Sequence, residues 1–522
     1  MKTGMKLWWM ILCAVVCASA GQALWAQKAP VASRVVEQID EARTVNIRGN
    51  VHPLARAEFD RGAVAESQPM TRMLLLLQRS AEQETALRQL IDAQQTKGSG
   101  SYHAWLTPAQ FGQQFGPSDA DVQAVTDWLT KQGFQVAKVS AGRTTIEFHG
   151  TVAQVQSAFQ TQIHRFVVNG EEHIANVSDP AIPAALAPVV GGVVALNNFP
   201  KHSMMHRVGS FQRDLATGQV KPLFTYTDSN GTFYGVGPAD FATIYNLPAG
   251  ADGSGQSIAV VGQSNINIQD VRDFRTMFGL TANDPQIIVN GPDPGILSST
   301  GDEGESDLDV EWAGAVAPAA QILFVVSQST MSNPAQVSQG VDLSALYIVD
   351  NNLAPVMSNS YGNCEAALGS TGNSFYNALW QQATAEGITV VVAAGDNGSA
   401  GCDPNPSVNP NAASQGLAVN GFASTPYNVA VGGTEFNQSS SNFSTYWHAG
   451  TTADPNNPMT QLSAKGYISE VPWDDSTCAA NFPTACTSVD SGGGDISAGS
   501  GGASNCATVN GSGNCQARRL RS

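Results

Sequence analysis

The sequence predicts an α/β protein: a doubly wound parallel sheet preceded by a small α+β domain of ferredoxin-like order. Three observations lead to this prediction. From about residue 235 onward, short apolar runs alternate with helical patterns, which is typical of βα units in a parallel sheet. The run 388–394 is continuously apolar, as expected of a strand covered on both faces. Before residue 200, strand and helix patterns follow the order of a β-α-β-β-α-β domain.

We place the first domain at residues 27–200, with its compact core at about 70–170. Ser118 and Asp121 have the spacing of a capping box, which predicts the start of a helix that Gly133 ends. The expected strands and helices of this domain, in chain order, lie at 73–77, 81–95, 118–133, 134–139, 144–148, 152–159 and 163–168.

A polar connector at residues 201–234 separates this domain from a second one at 235–522. Exposed connectors are the segments that proteases cut, so we expect a processing site there. The expected strands of the second domain lie at 257–262, 286–289, 321–326, 356–358 and 388–394. The expected helices lie at 268–278, 303–316, 334–348 and 374–386. Active sites of such sheets lie at the carboxyl ends of the strands.

Charge is scarce and unevenly placed. The chain has 26 Lys and Arg against 43 Asp and Glu, a net charge of −17, and only 13% of its residues are charged. Neither Lys nor Arg occurs between Arg275 and Lys465, a stretch that holds sixteen acidic residues. Nucleic acid is therefore an unsuitable partner, because phosphate binding needs clustered cations. The high apolar content also excludes a disordered chain.

The N-terminal segment 1–26 has the features of a secretory signal. Lys2 and Lys6 precede a short apolar run, and Ala18-Ser19-Ala20 fits a cleavage site. The apolar run is too short to span a bilayer, so we expect a secreted, extracellular or periplasmic protein with no membrane attachment after the signal is removed.

Two of the eight cysteines lie in the signal, and an even number in an exported chain indicates disulfides. Proximity favours Cys478–Cys486 and Cys506–Cys515, which leaves Cys364–Cys402, although six cysteines allow 15 pairings. No Cys-x-x-Cys spacing supports zinc.

Six carboxylates crowd into residues 302–311. On a helix, Glu305 and Asp309 are four residues apart and share a face, so their repulsion favours a shared proton. An acidic first turn that complements the helix dipole explains Asp302 and Glu303 but explains the Glu305–Asp309 pair less well.

Asp396 is the second candidate, because it directly follows the apolar strand and lies between glycines. An Asx turn that ends the strand explains it equally well. Calcium binding by Asp396 and Asp403 is a further alternative, without EF-hand spacing. His448 is the one histidine after His206, and we expect it at the surface, so a hydrolase here would more naturally use a carboxylate as base.

Together these patterns resemble the sedolisin–kumamolisin family of serine-carboxyl peptidases, from about residue 50 to about residue 510. Segments 102–117 and 128–134 resemble the family's activation prodomain, and Pro238–Tyr245 resembles the start of the mature domain. Further motifs are Glu305-x-x-x-Asp309, Ser358-Asn359-Ser360-Tyr361-Gly362 and Ala394-Gly395-Asp396-x-Gly398.

The resemblance implies a subtilisin-like fold and a secreted, acid-active endopeptidase zymogen acting on proteins or peptides. Glu305 would be the general base, Asp309 would orient it, and Asp396 would be the protonated carboxyl of the oxyanion hole. The prodomain would act as intramolecular inhibitor and chaperone.

The chain departs from the family at the nucleophile. No Gly-Thr-Ser-Ala motif occurs, so we assign no nucleophilic serine, and neither Ser497 nor Ser500 has motif support. The family's calcium loop would lie beyond the C-terminus, so we expect no metal or cofactor in this chain. The basic ending at 518–521 favours a truncation or frameshift close to Gln516, with an incomplete sheet and no activity as expected consequences.

Two other functions remain open at this point. The first is a non-catalytic secreted protein that binds peptides or inhibits peptidases. The second, a calcium-binding adhesin, is disfavoured by the missing calcium spacing.

Overall fold

The computed structural model describes most of the chain between residues 31 and 504. The described residues are 31–203, 236–333, 337–403, 413, 415–438, 442–447, 464–474, 496–502 and 504, with only the backbone of strands at 212–213, 220–221, 225–228 and 231–234. By their contacts, Ser33–Ser522 form one compact unit and Met1–Ala32 another. The expected signal cleavage site, His448 and six of the eight cysteines lie outside the described residues.

The first domain has the expected ferredoxin-like sheet, with one strand reassigned. Its four strands are β3 (Pro69–Leu77), β4 (Gln135–Val139), β5 (Thr145–Thr151) and β9 (Val190–Val194), in the spatial order β4-β5-β3-β9. Our expectation that 163–168 is the last core strand was wrong. That segment, β6 (Ile163–Val168), pairs instead with two neighbours in a separate sheet, because its partners lie outside the ferredoxin-like core.

The remaining elements of this domain surround the sheet. Its helices are α1 (Ala81–Gln95), α2 (Pro108–Phe115), α3 (Asp119–Lys131) and α4 (Val152–Phe159). Its other strands are β1 (Thr44–Asn46), β2 (Asp60–Ala63), β7 (Glu171–Asn176) and β8 (Ala181–Pro183). The predicted capping box is confirmed, since Ser118 Oγ accepts a hydrogen bond from the Asp121 amide at 3.1 Å.

The leucine run of β3 is apolar throughout because both faces of the strand are buried. Met73, Leu75 and Leu77 point into the core of the first domain. Leu74 and Leu76 point the other way, into the main core of the second domain. A strand sends alternate side chains to opposite faces, so β3 is shared between two cores.

The second domain contains the predicted parallel sheet. Its strands are β15 (Ser257–Gly262), β16 (Gln286–Val289), β17 (Gln321–Val326), β18 (Val356–Asn359), β20 (Thr389–Ala393) and β21 (Val429–Val431), in the order β16-β17-β15-β18-β20-β21. Every neighbouring pair is parallel. Buried clusters cover both faces, which confirms the doubly wound α/β prediction.

Helices connect these strands. They are α5 (Pro238–Ile244), α6 (Ile268–Met277), α7 (Asp302–Val316), α8 (Gly340–Asp350), α9 (Glu365–Ala385) and the short α10 (Phe443–Tyr446). The remaining strands, all short, are β10 (His202–Ser203), β11 (Gln212–Arg213), β12 (Val220–Lys221), β13 (Thr225–Asp228), β14 (Gly231–Tyr234), β19 (Tyr361–Gly362), β22 (Thr434–Phe436) and β23 (Glu470–Pro472).

Two helix starts differ from the sequence prediction. Helix α8 begins at Gly340, six residues after the predicted start at 334. Helix α9 begins at Glu365 instead of 374, and it is kinked at Gly369, where φ is 62°. A Cβ there would lie 2.6 Å from the Gly49 carbonyl oxygen of the first domain, so the kink permits a close approach that helical periodicity does not reveal.

The predicted disulfide Cys364–Cys402 is present, and it ties the start of α9 to the loop after β20. The partners proposed for the other four cysteines lie outside the described residues. Across the part of the chain that the structure describes, no helix is long and apolar enough to cross a membrane.

We predict that Gly142→Ala destabilises the chain by about 1–3 kcal/mol, the usual cost of overpacking. Gly142 is the tip of the β4–β5 turn, and a Cβ there would lie 2.3 Å from Gln382 Oε1 on α9. The amide of Gly142 also donates to Asp350 Oδ1 at 3.0 Å. Thermal unfolding checks this, with Gly100→Ala as control, because a Cβ at Gly100 meets nothing within 4 Å. Equal melting temperatures for the two variants would contradict the prediction.

Candidate active site

The two acidic residues predicted as a pair lie on one face of α7. Helix α7 begins after Gly301, whose φ of 85° suits glycine, and Glu305 is buried with 3% of its surface exposed. Asp309 is one turn further along and half-buried. Burial raises the pKa of the Asp309 carboxyl well above its usual range, while a hydrogen bond from Ser360 lowers it in part.

Ser360 fixes the orientation of Asp309. Its hydroxyl donates to Asp309 Oδ1 at 2.6 Å, and Ser360 directly follows strand β18. The next residue, Tyr361, is fully buried, and the nearby carboxylates of Asp302, Glu305 and Asp309 help to raise its pKa far above normal, with burial as the larger cause. The Ser358–Gly362 motif therefore forms one wall of the acidic site.

Asp396 lies at the carboxyl end of β20, the strand next to β18. The two strands are paired in parallel, with Asn359 opposite Val392, so Ser360 and Asp396 lie beyond the same edge of the sheet. Burial raises the pKa of the Asp396 carboxyl to about 7. The structure thus places all three predicted acids at the edge where active sites of parallel sheets form.

The glycine-rich segment 496–502 packs beside Asp396. The Ala498 amide donates to the Asp396 carbonyl at 2.9 Å, and the Ser500 amide donates to the Gly395 carbonyl at 2.8 Å. The Ser500 hydroxyl accepts a hydrogen bond from the Asn397 amide at 3.1 Å. Ser497 and Ser500 are both buried. This part of the chain therefore returns to the site, although no sequence motif marks either serine as a nucleophile.

A short segment, which we call the strap (residues 197–203), crosses the site. Its strand β10 pairs antiparallel with β19, with His202 opposite Gly362 and Ser203 opposite Tyr361. Gln263 Nε2 donates to the Lys201 carbonyl at 2.9 Å and to Asp302 Oδ1 at 2.8 Å. The strap is therefore paired with β19 and is linked through Gln263 to the start of the acidic helix.

Two histidines hold the beginning of the strap. The Phe199 ring stacks on His52 with centroids 3.9 Å apart, and on His173 with centroids 4.2 Å apart. His52 Nδ1 accepts a hydrogen bond from the Leu54 amide at 3.3 Å, which requires that nitrogen to be unprotonated. Burial, His173 and Lys201 together lower the pKa of His52 to about 3.

Comparison with known proteins identifies relatives for both domains of the chain. Residues 59–199 match the family model described as "Pro-kumamolisin, activation domain", and residues 287–509 match "Subtilase family". Sedolisin from Pseudomonas sp. (strain 101) is 30% identical over 359 residues, which are 67% of this chain and 58% of sedolisin. The chain is a relative of the sedolisin–kumamolisin peptidases. Members of the sedolisin–kumamolisin family are peptidases, and this chain is a peptidase relative by sequence.

Other relatives of the sedolisin–kumamolisin family agree with this assignment. Xanthomonalisin from Xanthomonas sp. (strain T-22) is 29% identical over 392 residues, which are 70% of this chain and 46% of xanthomonalisin. The chain thus spans about half the length of these two relatives. A solved structure of Pseudomonas sedolisin matches 52% of this chain and 63% of its own at 23% identity, with a TM-score of 0.38, too low to establish a common fold.

One group of carboxylates outside the acid pair has the donors for a cation. Oxygens of Asp270, Glu303 and Asp307 lie within 4.8 Å of one another, and all three residues are half-buried. Oxygen donors suit a hard cation such as calcium. However, burial together with Asp270 and Glu303 raises the pKa of Asp307 to about 7, so at acid pH the Asp307 carboxyl holds a proton.

Sequence reasoning missed three residues of the site. Ser360 was seen within a motif, but its bond to Asp309 requires the pairing of strand end and helix. Lys201 lay in the expected connector, and its buried partner Asp342 lay within an apolar helix pattern. A charged residue within an apolar helical pattern, inside the long cation-free stretch, is the one signal that marks Asp342.

We predict that Glu311→Gln flattens the loss of stability between about pH 4.5 and pH 9. Burial, Asp307 and Asp270 raise the pKa of Glu311 to about 9. A raised folded-state pKa contributes stability that is present below about pH 4 and is lost as pH rises through 9, by at most about 1.4 kcal/mol per pH unit. Chemical unfolding between pH 4 and 9 checks this, with exposed Glu66→Gln as control. A variant with an unchanged pH slope would disprove it.

We predict the opposite pH dependence for His52. Its folded-state pKa of about 3 lies below the ordinary value of 6.5, so its contribution is present above pH 6.5 and is lost towards pH 3. His52→Phe keeps a ring for stacking and removes the charge, so the variant should lose less stability on acidification. Exposed His103→Phe is the control, and equal acid sensitivity of both variants would refute this reading.

Proposed function

We propose that this chain is the precursor of an acid-active serine-carboxyl endopeptidase that is exported from the cell. One observation carries the proposal: the chain's own strap lies as an added antiparallel strand on Tyr361–Gly362, next to the residue that binds Asp309. Extended peptides bind sheet edges through the same backbone hydrogen bonds. The strap occupies the place that a substrate peptide would take, and the first domain holds it there as an inhibitor.

The acid pair is suited to proton transfer. Glu305 would accept the proton of an attacking hydroxyl and return it to the leaving amine. Asp309, held by Ser360, would orient Glu305 and share its proton, because two carboxylates this close do not both ionise readily. These roles assign to two carboxylates the work that histidine and aspartate do in other serine peptidases.

Asp396 would stabilise the oxyanion that forms when the hydroxyl attacks. A carboxyl group can donate a hydrogen bond only while it is protonated, and burial raises the pKa of Asp396 to about 7. At acid pH the group is therefore a donor, whereas above neutrality it would repel the oxyanion.

Acid also favours charging of His52, which would loosen the strap. Export rests on the signal-like segment 1–26.

A second candidate function is favoured by the sequence itself. No Gly-Thr-Ser-Ala motif is present, so the chain as printed has no assigned nucleophile and is expected to be inactive. A protein with the strap cleft but without a nucleophile would bind peptides without cutting them.

Proteolysis distinguishes the two candidates. If the first candidate is right, the full chain, incubated at pH 3–5, cleaves an unfolded protein substrate and its own connector within 201–234. Because general acid–base catalysis contributes about 10²–10⁴-fold, Glu305→Gln should lower the rate by that factor. Cleavage is followed by gel shift and intact mass.

Exposed Glu66→Gln serves as the matched control and should cleave like the unsubstituted chain. Cleavage that persists in Glu305→Gln would contradict the assigned base. An unsubstituted chain that binds peptides at pH 4 without cutting them would favour the second candidate.

A further inference from the structure

The strap carries one side chain into a buried, charged pocket. Lys201 is 6% exposed, and its ammonium group is ion-paired with the carboxylate of Asp342, which is fully buried near the start of α8. The hydroxyl of Tyr376 on α9 donates to the other oxygen of Asp342. The Lys201 Nζ atom also lies 6.0 Å from the centre of the Phe422 ring.

The three residues named around the Lys201 ammonium group all belong to the second domain. Asp342, Tyr376 and Phe422 are each fully buried, and none of them belongs to the strap. When the strap leaves, the carboxylate of Asp342 keeps, among the residues that the structure describes, only the Tyr376 hydroxyl as a donor. A buried carboxylate without a cation partner is strongly unfavourable. The empty pocket therefore favours the binding of a positively charged group.

The register of the strap decides which residue of a peptide would enter. Along an extended strand, neighbouring side chains point to opposite sides. Lys201 points towards Asp342, whereas the next residue, His202, lies near Asp302 at the start of α7. The backbone of His202 pairs with Gly362. Any peptide bound in this register would place the residue before its Gly362-paired residue into the Asp342 pocket.

We propose that the Asp342 pocket is the subsite that selects a lysine or arginine side chain in a bound peptide. The proposal rests on the proposed function only in taking the strap as a stand-in for a bound peptide. Tyr376 holds Asp342 in place, and Phe422 provides an aromatic wall beside the ammonium group. In this reading, Lys201 is a built-in copy of the preferred side chain.

Peptide binding in trans tests the pocket without any need for catalysis. The full chain carries Glu305→Gln, so that no peptide is cut, and Lys201→Glu, so that repulsion from Asp342 expels the strap. The probes are fluorescent peptides Phe-Pro-Lys-His-Ser and its norleucine analogue, which keeps the aliphatic stem and lacks the charge. We expect the lysine peptide to bind about 30-fold or more tightly, the loss typical of truncating one partner of a buried charge pair.

Adding Asp342→Asn should abolish this preference, whereas Asp293→Asn, at an exposed carboxylate that accepts from Asn265, should leave it unchanged. Equal affinity for the two peptides, a preference that survives Asp342→Asn, or no binding of either peptide would overturn the proposal. A failed proteolysis test with intact lysine selectivity would refute the catalytic proposal alone.

A second measurement tests the charge selectivity of the Asp342 pocket even if Lys201→Glu prevents folding. Hydrogen exchange of the amides of His202 and Gly362, which are paired between the strap and β19, is compared among chains with Lys201, Lys201→Arg and Lys201→Met. We expect protection to be retained with arginine and reduced about tenfold or more with methionine. Methionine that protects as well as lysine would show that the pocket does not select charge.

Discussion

The segregation of charge along the chain governs how its two domains hold together. Residues 276–464 contain no Lys or Arg, so their carboxylates must find cations elsewhere. The first domain and the strap provide them: Lys138 Nζ lies 2.9 Å from Asp350 Oδ2, and Lys201 pairs with buried Asp342. At Asp309, Glu311 and Asp396, burial raises the pKa of the carboxyl group. The charge pattern therefore both joins the domains and leaves the acidic site protonated.

Burial acts in opposite directions on the two kinds of titrating group near the strap. The carboxyl group of Asp396 keeps a proton up to about pH 7, whereas the ring of His52 stays neutral down to about pH 3. Acidification thus leaves the acidic site in the protonated form and works against the stack that holds Phe199. Acidification would therefore affect both the acidic site and the strap. It would act through Asp396 on the second domain and His52 on the first.

Sequence reasoning predicted the elements better than the contacts between them. Apolar runs and alternating helices were sufficient for the parallel strands, because each strand is buried on both faces. The fourth ferredoxin-like strand was misassigned, since both 163–168 and Val190–Val194 have strand patterns and only pairing separates them. The four-residue spacing alone predicted that Glu305 and Asp309 share one face of a helix. The bond from Ser360 and the pocket at Asp342 depend on contacts across 51 and 141 residues of chain, which no local pattern records.

Strand β3 has a consequence for how the sequence can change over evolutionary time. Its odd-numbered residues Met73, Leu75 and Leu77 belong to one core, and its even-numbered residues Leu74 and Leu76 belong to another. Substitutions at odd positions act on the internal packing of the first domain, while those at even positions act on its attachment to the second. Selection can therefore tune how long the first domain stays attached to the second through substitutions at Leu74 and Leu76. The internal core of the first domain need not change.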